Sequence, residues 1–113
     1  MEGIINTDCV AVPKAHAPAA AAAAVITLAA AAKTRHVVDK IFGSYSDTPD
    51  NGSLTIALTV GGTAVSMVVA IKAAGPFNFD FSPALQGDEN TAITITLASG
   101  AGTVVGKINA VTR

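Results

Sequence analysis

Apolar and polar residues alternate along much of this chain, and the alternation is clearest in two segments. In Leu54–Val60 the large apolar residues occupy every second position, with Thr and Ala between them, and Thr91–Ala98 repeats the pattern. A period of two places alternate side chains on opposite faces of a β-strand. Both segments are therefore predicted strands with one face toward a core. The predicted core-facing residues are Leu54, Ile56, Leu58, Ile93, Ile95 and Leu97.

Turn-forming residues divide the rest of the chain into further strands. Gly61 and Gly62 lie between two β-rich segments and predict a two-residue hairpin. The Gly-rich segment Ser99–Gly102 predicts a turn that makes the last two strands an antiparallel pair, and Gly106 predicts a bulge in the final strand. The other predicted strands are Ala23–Ala31, Arg35–Tyr45, Thr63–Lys72 and Thr103–Thr112.

Three phenylalanines follow one another at a period of two in Phe77, Phe79 and Phe81, so their rings share one face of an extended segment. Pro76 and Pro83 bracket this segment and predict an edge strand or a strand-like crossover. Core packing is the favoured interpretation of the three rings. The alternative is an exposed anchor for a neighbouring subunit.

The run Ala19–Ala32 is the most apolar part of the chain, but it is too short for a membrane-spanning helix of about 20 residues. Alanine favours helix, yet the centre of the run is β-branched at Val25, Ile26 and Thr27. We therefore expect a strand here. With about seven strands at a spacing of roughly ten residues, the sequence predicts an all-β protein with a single β-sandwich or jelly-roll-like domain over residues 21–113.

Residues 1–20 are predicted to form an extended N-terminal arm, because the segment has no sustained period and contains Pro13 and Pro18. Its apolar residues would be exposed to water if the arm stayed free, so the arm is expected to dock on another subunit. The predicted interface residues of the arm are Ile4, Ile5, Val10 and Val12.

Charge and composition exclude several functions. Seven basic and eight acidic residues give a formal net charge of -1, with no Lys/Arg cluster that would bind nucleic acid. The single cysteine, Cys9, cannot form an intramolecular disulfide bond. The surface has few charges to oppose self-association. Much of the apolar content is alanine, which buries little area per residue, so we expect a partner subunit to complete the core.

No constellation of catalytic or metal-binding residues emerges from the sequence. His16 and His36 lack other ligands at metal-binding spacing. Two oxygen-rich segments lack the full spacing of a calcium loop and are interpreted as solvated turns. These segments are Asp47, Asp50 and Asn51, and Asp88, Glu89 and Asn90. No nucleophile stands in a recognisable motif, so we expect no enzyme activity, no catalytic residue, no metal and no cofactor.

The order of several segments resembles small structural proteins of tailed bacteriophages. The matching segments read HVVDKIFGSYSDTP, NGSLTIAL, AAGPFNFDFSPAL and NTAITITLASGAGTVVGKINA, and the resemblance covers residues 34–113. These motifs are framework features of a β-fold and imply no catalytic residues. The resemblance implies a virion structural protein and leaves the arm uncovered.

Among virion roles, the sequence favours a capsid decoration (cement) protein that binds the major capsid protein and stabilises the head. The expected partners are the major capsid protein and further copies of the chain, with a trimer favoured, and neither nucleic acid nor a membrane. The expected location is the capsid surface of the virion, after synthesis in the host cytoplasm. The alternative is a head-fibre or tail-associated module that binds a host-surface glycan.

Overall fold

The computed structural model describes residues 12–17, 22–49, 52–99 and 104–112. The described residues form eight strands and no helix, so no helix that could cross a membrane lies among them. The strands are β1 (Val12–His16), β2 (Ala24–Leu28), β3 (Val37–Tyr45), β4 (Ser53–Val60), β5 (Thr63–Ala70), β6 (Gly75–Gln86), β7 (Ile93–Leu97) and β8 (Gly106–Thr112). Seven of them match predicted strands, and β1 is additional.

The strands form two antiparallel four-stranded sheets packed as a sandwich. The first sheet has the order β1-β8-β3-β6, and the second has the order β2-β7-β4-β5. The predicted all-β sandwich is thus confirmed. The edge position predicted from Pro76 and Pro83 is also confirmed, because β6 ends the first sheet. A proline is tolerated there because its missing N–H leaves no gap in a central ladder.

The core lies between the two sheets and follows from the alternation. Along β4 and β7, every predicted core-facing residue is buried. The apolar positions of β2 join them, and the first sheet supplies the opposite layer through β3 and β8. The main buried residues of the first sheet are Val38, Ile41, Tyr45, Ile108 and Ala110. Side chains from both sheets thus form one core.

The segment predicted as an arm contributes a strand to the sandwich. β1 pairs with β8 of the same chain over its full length, from Val12 opposite Thr112 to His16 opposite Ile108. Residue 20, the predicted end of the arm, therefore lies between β1 and β2 in the sequence. A short segment can add to an existing sheet edge by backbone bonds alone, without an alternating apolar pattern of its own.

The predicted pairing of the last two strands is wrong. β7 pairs with β2 and β4 in the second sheet, whereas β8 pairs with β1 and β3 in the first. The connection between them crosses from one sheet to the other. Two hydrogen bonds hold the chain just before β8: the Ser46 N–H donates to Val105 O at 2.8 Å, and the Val105 N–H donates to the side-chain Oγ of Ser46 at 2.8 Å.

The predicted bulge at Gly106 is also wrong, because the irregularity lies in β3 between Val38 and Lys40. Gly106 instead permits close packing between the sheets. A Cβ atom on this residue would lie 2.9 Å from Leu97 Cδ2 and 3.1 Å from Tyr45 Cε1. The absence of a side chain is what the position requires.

Candidate functional site

The outermost strand of the second sheet, β5, is the least covered part of the described fold. It pairs with β4 on one side, and all eight of its residues are exposed. Its sequence, TAVSMVVA, contains no charged residue and no proline. Natural sheets protect their edges with charges, prolines or bulges, and β5 carries none of these.

One face of β5 continues the apolar face of the core. Val65, Met67 and Val69 lie opposite Leu58, Ile56 and Leu54 of β4, and directly paired residues of neighbouring strands share a face. The three β4 residues are buried, whereas Val65, Met67 and Val69 remain 38%, 37% and 36% exposed. We call Val65, Met67 and Val69 the apolar flank.

The first sheet does not extend over this flank. Its own edge strand, β6, carries the three phenylalanines at partly buried positions that pack against the core. Phe77 and Phe79 pair with Gly43 and Ile41, so their rings lie on the core-facing side of the sheet. The two rings are tilted against each other with centroids 5.9 Å apart.

The opposite face of β5 is also apolar in part. It carries Ala64, Ser66, Val68 and Ala70, and Val68 is 65% exposed. Scattered apolar residues are normal on protein surfaces, but a contiguous apolar strand is not. Both faces of this edge therefore favour contact with another protein surface.

The backbone of β5 can accept a further strand. The pair that flanks a two-residue turn exchanges both of its hydrogen bonds, and bonded pairs then alternate along the ladder. Val60 and Thr63 flank the turn, so the bonded residues of β5 include those of the apolar flank. The intervening residues direct their N–H and C=O groups away from β4. These residues are Ala64, Ser66, Val68 and Ala70.

The turn of the β4–β5 hairpin is held by a carboxylate. Gly61 and Gly62 adopt positive φ values of 60° and 77°, as a type I′ turn requires, and the predicted hairpin is confirmed. Their N–H groups donate to the two carboxylate oxygens of Asp88 at 3.0 and 2.7 Å. The Asp88 N–H donates to Thr59 O at 2.7 Å. The loop before β7 thus fixes the direction in which the hairpin projects.

These two amides, with a smaller effect of the Arg35 charge, lower the pKa of the Asp88 carboxyl. The carboxylate is therefore engaged by backbone donors. Of the oxygen-rich segments noted in the sequence, Asp50 and Asn51 lie outside the described residues. In the described part of the chain, no three His, Cys, Asp or Glu side chains gather as they would around a metal ion.

Both histidines have local structural partners. His16 Nδ1 accepts the N–H of Val25 at 2.8 Å, which joins the edge strand β1 of one sheet to the edge strand β2 of the other. His36 Nε2 lies 2.7 Å from Ala29 O and donates to it. Each ring is thus used in holding chain segments together.

A second surface feature lies on the outer side of the first sheet, near the β3–β6 pair. It is a shallow depression of about 240 Å³. Phe42 is exposed beside it, with Lys40 Nζ 5.7 Å from the ring centroid and 3.8 Å from Asp80 Oδ1. The residues that line it are Lys40, Phe42, Gly43, Pro76, Phe77 and Asn78.

The structure describes one of the four predicted interface residues of the arm. Ile4, Ile5 and Val10 lie outside the described residues, and Val12 is the first residue of β1. The apolar flank was not identified from the sequence. The available signal was the eight-residue segment after Gly62, which is apolar on both faces and uncharged.

The comparisons with known proteins assign no family to this chain. No family model matches it, and no curated protein matches it. Among solved structures, the chain is similar to one described as "Family 16 Carbohydrate Binding Module-2", with a TM-score of 0.47 and 9% sequence identity. That alignment covers 83% of this chain and 70% of the other.

Proposed function

We propose that this chain is a non-catalytic assembly module, and that it acts as a capsid decoration protein of a tailed bacteriophage. The observation that carries the assembly role is β5, an eight-residue edge strand that is exposed on both faces and bears no charge. Such an edge is a template for pairing with another chain. The decoration role rests on the resemblance of residues 34–113 to phage structural proteins.

A decoration protein binds many equivalent sites on one particle, so modest contacts are sufficient. Repetition by capsid symmetry converts weak individual interfaces into high avidity. A small sandwich with an exposed, uncharged edge strand and few charges is suited to such repeated weak binding. In this proposal the chain lies on the capsid surface and binds the major capsid protein, with residues before β1 contributing Ile4, Ile5 and Val10 to the contact.

Quantitative protein composition of purified particles tests the decoration role. Hundreds of copies per particle are expected for a protein that covers the head, whereas a few copies would place it in the tail or a fibre. Deletion of residues 2–10 tests the N-terminal contact, because it removes Ile4, Ile5 and Val10 but leaves β1. We expect the truncated protein to remain folded and to occupy fewer capsid sites; unchanged occupancy would refute the role of this segment.

A glycan-binding module is the second candidate, and the depression around Phe42 is the observation that favours it. An exposed aromatic ring with Asn78, Lys40 and Asp80 beside it offers both an apolar face and polar groups to a sugar. Binding to a glycan array, abolished by Phe42→Ala and retained by Val25→Ala, would support this function. Absence of binding by the unmodified chain would exclude the glycans on the array as ligands.

A further inference from the structure

We propose that β5 pairs antiparallel with β5 of a second copy, so that the two second sheets join into one eight-stranded sheet. The inference deepens the proposed function by naming the partner of the exposed edge, and it rests on that function for its biological setting. The pairing places a twofold axis at Met67.

The backbone groups of β5 are arranged for this pairing. Ala64, Ser66, Val68 and Ala70 direct their N–H and C=O groups away from β4, as the hairpin geometry requires. With the axis at Met67, Ser66 of one copy bonds to Val68 of the second, and Ala64 bonds to Ala70. Every outward backbone group between Ala64 and Ala70 then has a partner.

The side chains are self-complementary in the same register. Met67 meets Met67 of the second copy, and Val65 meets Val69, all on the face that continues the core. These are non-bonded pairs, in which the side chains of an antiparallel ladder approach most closely. A one-residue shift would remove this match, because it would bring the apolar flank of one copy to the opposite face of the other.

Charge favours a second copy over a charged partner. A twofold axis at Met67 sets β5 of one copy against β5 of the second, so charges of one sign on this strand would repel each other. The strand has none from Thr63 to Ala70. The nearest charged residue at its end, Lys72, lies beyond the paired segment and outside the strand. Uncharged strands can therefore approach without electrostatic cost.

The size of the surface predicts a reversible dimer. The apolar flank is a single strand edge whose three side chains are 36–38% exposed, which is small beside the ~800 Å² that each partner buries in a standard interface. Pairing of the strand backbones adds to this area. We therefore expect dissociation on dilution in solution, and dimers where copies are held at high local concentration on a particle. The exposed apolar side chains of the hairpin are Val60, Val65, Met67, Val68 and Val69.

Sedimentation velocity of the purified full chain tests the pairing. The unmodified chain is expected to shift from monomer to dimer as its concentration rises. Met67→Lys and Met67→Glu each place two like charges at the axis, and each should raise the dissociation constant at least about tenfold. An equimolar mixture of the two variants should recover the dimer, because Lys then faces Glu.

Val25→Lys is the matched control, because Val25 is equally exposed on the opposite edge strand of the same sheet. It should dimerise as the unmodified chain does. Circular dichroism of each variant verifies the fold. Met67→Cys combined with Cys9→Ser provides an independent readout, since a non-bonded pair on the axis brings two Cβ atoms within disulfide range.

Three outcomes would overturn the inference: a chain that stays monomeric at every concentration, an oligomer that Met67→Lys does not weaken, or a mixture of the charged variants that remains monomeric. A trimer retained by both variants would belong to the second class. Particle binding by a monomeric Met67→Lys variant would leave the decoration role intact and refute only the biological need for the dimer. Failure of both variants and the unmodified chain to bind particles would refute the decoration role separately.

Discussion

Replacement of Tyr45 by Phe tests how the two sheets are joined at their edge. Tyr45 lies on β3 of the first sheet and is buried, and its hydroxyl donates to Ala98 O, just after β7 of the second sheet, at 2.6 Å. Phenylalanine fills nearly the same volume, so no large cavity forms. The substitution therefore isolates the hydrogen bond between the sheets.

The expected loss follows from the two groups that the bond satisfies. A hydrogen bond contributes about 0.5–1.5 kcal/mol net, and a partly buried carbonyl left without its donor adds to the cost. We expect Tyr45→Phe to lower the free energy of unfolding by about 1–2 kcal/mol. Since m is about 1–3 kcal/mol/M in urea for small proteins, the midpoint should fall by roughly 0.3–2 M.

The same residue predicts an alkaline loss of stability. Burial raises the pKa of the Tyr45 hydroxyl above 10.0, although a backbone hydrogen bond from Ser53 opposes the shift. The folded state therefore keeps its proton at pH values where the unfolded state loses it. The contribution of Tyr45 is complete below the unfolded pKa and is lost as the pH rises through the folded pKa.

Tyr45 is the only tyrosine and the chain has no tryptophan, so the near-ultraviolet absorbance of tyrosinate reports this group directly. Its titration should be displaced to higher pH in the folded protein relative to the protein in denaturant. In urea melts across the alkaline range, the free energy of unfolding should fall more steeply with pH for the unmodified chain than for Tyr45→Phe. A free-energy change below about 0.3 kcal/mol, or identical alkaline slopes, would refute this account of the sheet junction.

Three further substitutions probe the core, the close approach between sheets and the hairpin. Ile95→Ala should cost about 2–5 kcal/mol in urea melts because the side chain is 0% exposed, whereas the exposed control Val25→Ala should cost less than about 0.5 kcal/mol. Gly106→Ala should cost about 1–3 kcal/mol, since its Cβ would meet Leu97, and an unchanged melting temperature would contradict the tight packing there. Asp88→Asn should speed amide exchange in the hairpin turn at neutral pH. In the unmodified chain, the lowered pKa of Asp88 predicts that the turn amides are fully protected from exchange above pH 3.8. This protection should be lost as the pH falls through the folded pKa of Asp88. Protection that does not change with pH would refute the carboxylate's role.

The parts of the fold that local pattern determines were predictable. The alternation in β4 and β7 identified their buried residues, because a period of two leaves only one face for the core. Gly61 and Gly62 identified the hairpin, since few residues other than glycine adopt positive φ at both turn positions. Each of these features depends on residues that are close in sequence.

Features that depend on strand order were not predictable. The short Gly-rich segment after β7 is compatible with a hairpin or with a crossing between sheets, and only the packing of β8 between β1 and β3 distinguishes them. β1 contains Pro13 and lacks alternation, so no local pattern predicts a strand there.

The candidate site was missed for a related reason. Thr63–Ala70 looks like a buried strand because it is apolar on both faces, a pattern typical of strands covered on both sides. Its exposure results from its position at the edge of the second sheet, where the first sheet does not cover it. Coverage is a property of how the two sheets overlap, which no local pattern reports.

The pairing of β1 with β8 also determines how the domain responds to mechanical load. Val12, which begins β1, lies opposite Thr112, which ends β8, in an antiparallel ladder, so the first and last described strands have these two ends at the same corner of the first sheet. Tension applied between Val12 and Thr112 breaks the β1–β8 hydrogen bonds one residue pair at a time. It does not load all of these bonds together in shear. The domain should therefore yield at low force when pulled from this corner, and it should resist far more when the load enters through a broad lateral contact.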